Sequence, residues 1–204
     1  MSLATRPPTS VDRSLYTVPN QLTLLRFVLS VVLFWLIGRQ AWLQGCAVFV
    51  VAAFTDWLDG YLARRWNLRS TLGRNLDPLV DKILVGGAFV FLLPVPEAGL
   101  SAWVVVIVWT REILVTGLRS FVEQQGSPFG AAWPGKLKMV LQCLTVGVLL
   151  VYLEVRADLP SWCTHVRDAL IYTTTVVTAL SGLHYLLLAA KYGHMSGPAN
   201  GDDG

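Results

Sequence analysis

Six stretches of predominantly apolar residues divide the chain, with turn-forming or charged residues between them. The stretches span roughly 21–38, 41–64, 75–94, 100–121, 135–153 and 166–190. Each is close to the length of about 20 residues that a helix needs to cross the hydrocarbon core of a bilayer. The pattern therefore predicts an all-α integral membrane protein with six transmembrane helices.

The composition supports the same class. The chain is 54% hydrophobic and only 14% charged, whereas a soluble domain is usually about 25% charged. The net charge of +3 is small and dispersed, which excludes the basic footprint of a nucleic-acid-binding protein. Residues 18–190 form the predicted membrane domain, 1–17 a polar N-terminal segment and 191–204 a disordered tail, with a possible short interfacial helix within 10–20.

The distribution of Lys and Arg predicts the orientation. With both termini in the cytoplasm, ten basic residues fall on the cytoplasmic side and three on the opposite side, as the positive-inside rule requires. Eleven ionisable residues inside the apolar stretches then lie in the cytoplasmic half. They are Arg26, Asp56, Asp59, Arg64, Asp77, Asp81, Lys82, Arg111, Arg119, Lys136 and Lys138. Because such groups are costly in lipid, this clustering predicts one polar cavity that opens to the cytoplasm.

Four aspartates lie on the two facing sides of that predicted cavity. Asp56 and Asp59 are about 60° apart on one helical face, and Asp77 and Asp81 share a face of the next helix. A short connection makes the two helices antiparallel neighbours, so the four carboxylates can converge. Because converging anions repel one another, divalent cations are expected there. An all-oxygen ligand set favours Mg²⁺ or Mn²⁺, and a two-metal carboxylate site suits phosphoryl transfer.

Two alternatives remain open at this point. The aspartates could be interfacial charges balanced by neighbouring arginines, or the carboxylates could couple cations in a secondary transporter, although that class usually shows repeated halves. The small residues Gly60 and Ala63 share the carboxylate face. They would let either a bulky ligand or another helix approach closely.

The spacing of these residues resembles a known signature. Asp56-x2-Asp59-Gly60-x2-Ala63-Arg64-x8-Gly73-x3-Asp77-x3-Asp81 is similar to that of the CDP-alcohol phosphotransferases. The resemblance implies six transmembrane helices, a homodimer and a two-metal site that faces the cytoplasm. Three further segments resemble the bacterial phosphatidylglycerophosphate synthase branch: PNQLTLLRF (19–27), TREILVTGLR (110–119) and GKLKM (135–139). In the last of these, Met139 stands where Thr is usual, and we assign it no role.

The resemblance also implies residue roles. Asp56, Asp59, Asp77 and Asp81 would bind the metals, and Asp81 would be the general base. The nucleotide would be held by a group of small and polar residues, namely Asn20, Thr23, Gly60, Ala63, Arg64 and Gly73. The phosphate of the acceptor alcohol would be held by basic residues, namely Arg111, Arg119, Lys136 and Lys138. Arg111 and Lys136 are the favoured candidates, and Lys138 cannot share a helical face with Lys136.

The implied reaction is phosphatidyl transfer from CDP-diacylglycerol to sn-glycerol 3-phosphate, which yields phosphatidylglycerophosphate and CMP. The implied location is the inner membrane, in contact with lipid, with the active site facing the cytoplasm. The basic residues at 111–138 favour an acceptor that carries a phosphate. Inositol phosphate and phosphatidylglycerol remain alternative acceptors within the same family.

Overall fold

Six α-helices make up nearly all of the described chain. The computed structural model describes residues 18–66, 71–124 and 133–195, with side chains described over 21–55, 79–122, 133 and 135–190. The helices are α1 (Val18–Gly38), α2 (Trp42–Trp66), α3 (Thr71–Leu92), α4 (Ala102–Gln124), α5 (Trp133–Val155) and α6 (Trp162–Met195). Single 3-10 turns at Pro96–Ala98 and Arg156–Asp158 lie in two of the connections. These ranges contain no β-strand, so the predicted all-α fold is confirmed.

The helix boundaries differ from the predicted apolar stretches at their polar ends. α3 begins at Thr71 and α6 continues to Met195, whereas the corresponding stretches were expected to span 75–94 and 166–190. Hydropathy marks only the part of a helix suited to lipid, while backbone hydrogen bonding continues through polar residues. Residues 1–17 and 196–204 lie outside the described residues. The predicted interfacial helix, within 10–20, therefore lies mostly outside them as well.

Three helical segments are long and apolar enough to cross a membrane by length and composition. Within the described residues they are Gln21–Gly38, Gly135–Asp158 and Trp162–Ala190, and a shorter apolar segment covers Trp42–Thr55. α3 and α4 carry charged side chains such as Asp81, Lys82 and Arg111 within their length. Such charges lower the mean hydropathy of a helix even where it is enclosed by other helices.

The helices pack as two groups of three. α1 packs along both α2 and α3, and α6 packs along both α4 and α5. Contacts of α2 with α5, and of α3 with α4 and α5, join the two groups. A close approach between α1 and α3 depends on Gly87, since a Cβ there would lie 2.2 Å from the ring of Phe34. That ring stacks on Phe91 with its centroid 4.8 Å away.

The buried faces combine polar and apolar side chains. α6 buries one residue at every third or fourth position, namely Ile171, Thr174, Thr178, Ser181 and Tyr185. Its exposed face carries large apolar residues, among them Val176, Leu180, Leu183 and Leu187. An apolar exterior around a partly polar interior indicates a protein that is surrounded by lipid.

Candidate active site

The signature residues lie on α2 and α3. Asp56 and Asp59 fall in the second half of α2, and Asp77 and Asp81 in the first half of α3. The side chains of Asp56, Asp59 and Asp77 lie outside the described part of the structure, and the predicted convergence of the four carboxylates therefore remains a prediction. The same holds for the nucleotide-binding roles predicted for Asn20, Gly60, Ala63, Arg64 and Gly73. Thr23, the other predicted nucleotide residue, is buried on α1.

Asp81 is held by a buried arginine from α1. The Arg26 guanidinium Nη1 donates to Asp81 Oδ1 at 2.5 Å. Arg26 is completely buried, while the Asp81 side chain keeps 26% of its surface exposed. The Ser30 hydroxyl donates to the Arg26 carbonyl at 2.8 Å. A buried arginine needs an anion beside it, so an Arg within the first apolar stretch was the available sequence signal for this contact.

Asp81 lines two adjoining cavities. The larger, of about 530 Å³, is bounded by α3, α4 and α5. Its charged lining side chains are Asp81, Lys82, Arg111, Glu112, Arg119 and Lys138. The smaller, of about 270 Å³, is mainly apolar and is lined by Ala53, Asp81, Leu84, Val85, Met139, Val140 and Cys143. Met139 lines both cavities, so the residue that stands where Thr is usual in the GKLKM segment lines the same cavities as Asp81.

Arg111 is buried, as is Lys138, among the basic side chains that line the larger cavity. Its guanidinium donates to Glu112 Oε1 at 3.2 Å and to Ser181 Oγ at 2.8 Å. It also lies 5.5 Å from the centre of the Tyr185 ring. Gly182 lets α6 approach, because a Cβ there would lie 3.2 Å from Arg111 Cγ. The Arg111 Nε is buried and has no hydrogen-bond partner within the described residues.

The two lysines of the GKLKM segment point in different directions. Lys138 is buried, and its ammonium donates to Glu112 Oε1 and, at 3.1 Å, to Gln142 Oε1. Lys136 is exposed and does not line the described cavity. The prediction that they cannot share a helical face is confirmed. The structure thus brings Arg111 together with Lys138, and it does not bring Lys136 to that pair.

Several residues of this site had no role predicted from sequence. Lys82 donates to the Thr116 hydroxyl, which itself donates to the Glu112 carbonyl at 2.6 Å. Gln142 donates from Nε2 to Thr178 Oγ1 at 3.2 Å. Arg119, which the sequence does predict as an acceptor residue, also lines the cavity, with a buried Nε that has no hydrogen-bond partner in the described part of the chain. The cavity therefore combines an acid next to a buried arginine with a group of cations on the facing helices.

A sequence profile of the CDP-alcohol phosphatidyltransferases matches residues 16–180. That range includes both aspartate pairs and every residue that lines the two cavities. The chain belongs to this family. As a CDP-alcohol phosphatidyltransferase it is a transferase enzyme of phospholipid synthesis, and the resemblance drawn from the signature is confirmed.

Curated bacterial relatives share most of this phosphatidyltransferase's length. A Bacillus subtilis protein is 34% identical over 187 residues, which cover 84% of this chain and 94% of the relative. Proteins from Salmonella choleraesuis and Shigella flexneri are each 37% identical over 182 residues, covering 85% of this chain and 95% of the relative. All three bear the name CDP-diacylglycerol–glycerol-3-phosphate 3-phosphatidyltransferase.

The described part of the site contributes one carboxylate to the predicted metal centre. Asp81 is partly exposed to two cavities, and it already pairs with Arg26. The described residues contain no group of three or more acidic, His or Cys side chains that could hold a metal, so a metal centre here depends on Asp56, Asp59 and Asp77 as well. A ligand set of four aspartates would fit Mg²⁺ or Mn²⁺ better than Zn²⁺.

Proposed function

We propose that this chain transfers the phosphatidyl group of CDP-diacylglycerol to sn-glycerol 3-phosphate, giving phosphatidylglycerophosphate and CMP. Family membership and the names of the relatives support the reaction. The structural observation that carries the assignment is the larger cavity, in which Asp81, Arg111 and Lys138 line one space. The carboxylate at one side can accept the hydroxyl proton of a phosphorylated alcohol. The pair of buried cations at the other side can bind its phosphate.

The cavity supports a phosphate-bearing acceptor. Its described lining carries four basic side chains and two acidic ones, so it attracts an anion. Arg111 offers a planar set of donors, and Lys138 adds a point charge from the next helix, which is a common combination for phosphate oxygens. In this proposal the acceptor phosphate lies against Arg111 and Lys138, with Lys82 and Arg119 contributing to the positive potential.

Asp81 is the proposed general base. The acceptor's 1-hydroxyl gives its proton to an Asp81 carboxylate oxygen while the hydroxyl oxygen forms a bond to the donor's lipid-linked phosphorus. The bond from that phosphorus to the bridging oxygen breaks, and CMP leaves with the bridging oxygen. Arg26 holds the carboxylate in place from its buried side, so that it can accept the proton while the hydroxyl oxygen attacks in line with the leaving oxygen.

We assign the remaining binding roles by the signature. Mg²⁺ or Mn²⁺ held by Asp56, Asp59, Asp77 and Asp81 would neutralise the charge on the donor's pyrophosphate. The nucleotide would lie against α1, α2 and the start of α3, through Asn20, Thr23, Gly60, Ala63, Arg64 and Gly73. Met139 and Val140 would face the lipid end of the donor, since they line the apolar cavity beside Asp81.

We further propose a homodimer in the inner membrane. Six membrane-spanning helices with both termini in the cytoplasm account for the basic bias of the sequence and for the apolar outer faces of α1 and α6. This orientation opens the charged cavity to the cytoplasm. There, water-soluble glycerol phosphate and CMP could enter and leave while the donor's acyl chains stay in lipid.

The proposal is tested with purified protein in lipid nanodiscs that contain CDP-diacylglycerol and Mg²⁺. CMP release and the lipid product are measured with sn-glycerol 3-phosphate, inositol 1-phosphate and phosphatidylglycerol offered separately. We expect turnover with glycerol phosphate at least about tenfold above the other acceptors. Equal or faster turnover with another acceptor would replace this assignment, and no metal-dependent release of CMP with any acceptor would reject it.

A further inference from the structure

Glu112 is an anion at the centre of the basic cavity. Its Oε1 accepts a hydrogen bond from Lys138 Nζ on α5 and one from Arg111 Nη1 at 3.2 Å. The residue is buried, with a relative exposure of 8%. Its backbone carbonyl also accepts a hydrogen bond from the Thr116 hydroxyl, and that hydroxyl accepts one from Lys82. One acidic residue thus joins three of the four basic side chains that line the cavity.

A carboxylate is an unexpected neighbour for an anionic acceptor, since it repels phosphate and competes for the same cations. Without this carboxylate, however, the empty cavity would hold two buried cations with no anion between them. Arg111 and Lys138 come from different helices and are both at least nine-tenths buried. Two buried cations without an anion between them repel each other and lose the geometry that binding requires.

The second contacts of the two cations come from one side. Arg111 donates to Ser181 on α6, and Lys138 donates to Gln142, which donates in turn to Thr178 on α6. Glu112 on α4 holds both cations from the other side. The α6 contacts alone leave the ends of these two side chains free to separate, whereas the shared carboxylate oxygen fixes them relative to each other.

We infer that Glu112 is a positioning residue that holds Arg111 and Lys138 at the separation one phosphate group requires. The inference rests on the proposed function, because it assumes that this pair receives the acceptor phosphate. Glu112 does not touch the acceptor in this account. It acts through the two cations, so its removal weakens acceptor binding, even though the cavity then has one negative charge fewer.

The test is binding of sn-glycerol 3-phosphate without donor, followed as the rise in thermal unfolding temperature of the detergent-solubilised full chain. We expect Glu112→Gln to raise the concentration for half-maximal effect about tenfold, a usual coupling between neighbouring charged groups. The matched control is Glu97→Gln. Glu97 pairs with Arg156 at 3.5 Å outside the cavity, and this variant is expected to bind as the wild type does.

A double-mutant cycle separates positioning from a general loss of structure. If Glu112 acts through Lys138, Glu112→Gln adds little to the weakening caused by Lys138→Gln. Full additivity, unchanged affinity, or tighter binding in Glu112→Gln would overturn the inference, since tighter binding would mean that the carboxylate competes with the acceptor.

If Glu112→Gln does not fold, Glu112→Asp replaces it, with an expected weakening of about threefold, and wild-type affinity in that variant would likewise overturn the inference. Absence of any acceptor effect in the wild type would instead reject the acceptor site itself.

Discussion

Two arginines, one at each end of the helix bundle, lie over tyrosine rings; Arg111 is buried and Arg167 is half-buried. Arg111 lies 5.5 Å from the ring centre of Tyr185, and Arg167 lies 5.0 Å from that of Tyr152. Arg167 uses Nε, Nη1 and Nη2 on Asp168 and on the carbonyl of Glu97. Arg111 leaves Nε without a hydrogen-bond partner among the described residues. Each of the three guanidinium nitrogens of Arg167 thus contacts a protein oxygen, whereas Arg111 lines a cavity and its Nε has no such contact among the described residues.

The side chains buried around the two arginines also differ in polarity. Around Arg111 the helices bury polar groups, including Glu112, Lys138, Gln142 and Ser181. Towards the other end they bury large apolar side chains, including Leu33, Ile37, Leu92 and Leu153. At that end the Arg167 guanidinium packs against Gly99, whose φ of 70° favours glycine. The comparison teaches that an arginine packed on a tyrosine ring does not by itself identify a site, whereas incomplete hydrogen bonding next to an open cavity favours one.

The largest effect is expected at the acid of the polar end. Asp81→Asn removes the proposed base while preserving size, so CMP release should fall at least about 100-fold. CDP should still bind in the presence of Mg²⁺, because three other carboxylates remain. Asp158→Asn is the control, since Asp158 is exposed in a turn at the other end. Turnover within twofold of wild type in Asp81→Asn would remove Asp81 from the mechanism.

Exchanging the two arginines for glutamine tests the comparison itself. Arg111→Gln should lower kcat/KM for glycerol 3-phosphate about 100-fold, because a buried cation facing an anion contributes about 2–5 kcal/mol. Its unfolding temperature should be nearly unchanged. Arg167→Gln should leave kcat/KM within about twofold and lower the free energy of unfolding by about 2 kcal/mol. Steady-state kinetics and thermal unfolding in detergent measure both. The reverse pattern would show that saturation by protein contacts does not distinguish the two roles.

A smaller effect separates the two lysines of α5. Lys138→Gln should raise the KM for glycerol 3-phosphate about tenfold and leave the KM for CDP-diacylglycerol almost unchanged. Lys136→Gln serves as the matched variant, since Lys136 is exposed and lies away from the described cavity. A larger rise in Lys136→Gln than in Lys138→Gln would place the acceptor phosphate outside this cavity and would favour the assignment expected from sequence.

The smallest effect concerns the apolar end. At Gly99 a Cβ would lie 2.8 Å from the Arg167 guanidinium carbon, in a backbone conformation with φ of 70°. Gly99→Ala should therefore lower the free energy of unfolding by about 1–2 kcal/mol with kcat/KM unchanged. Thermal unfolding and the CMP assay test this together. A loss of activity in folded Gly99→Ala would show that the two ends are coupled.

Hydropathy predicted the helices because an apolar stretch of sufficient length has few alternatives to a helix in lipid. The Lys and Arg distribution also predicted that several charged residues cluster, and Asp81, Arg111 and Lys138 do line one cavity, with Arg26 paired to Asp81. Hydropathy could not find Ser181, Gln142 or Tyr185. Such residues within apolar spans often serve only helix packing, and their role at Arg111 and Lys138 depends on which helices become neighbours.

The same limit explains the two lysines. Helical spacing separated Lys136 from Lys138 correctly, but spacing alone does not tell which face of α5 turns inward. That choice depends on the partners of the helix, here Glu112 on α4 and Thr178 on α6, which lie far away in the chain. The Arg26–Asp81 pair is a similar case, because its members are separated by 55 positions.

The most direct test of the central claim is an experimental structure of the protein with CDP, Mn²⁺ and sn-glycerol 3-phosphate. The account predicts phosphate density in the cavity between α3, α4 and α5, with oxygens about 3 Å from the Arg111 guanidinium and Lys138 Nζ. It also predicts the 1-hydroxyl within hydrogen-bond reach of Asp81. Acceptor density elsewhere, with Arg111 and Lys138 still bound only to Glu112, Ser181 and Gln142, would contradict it.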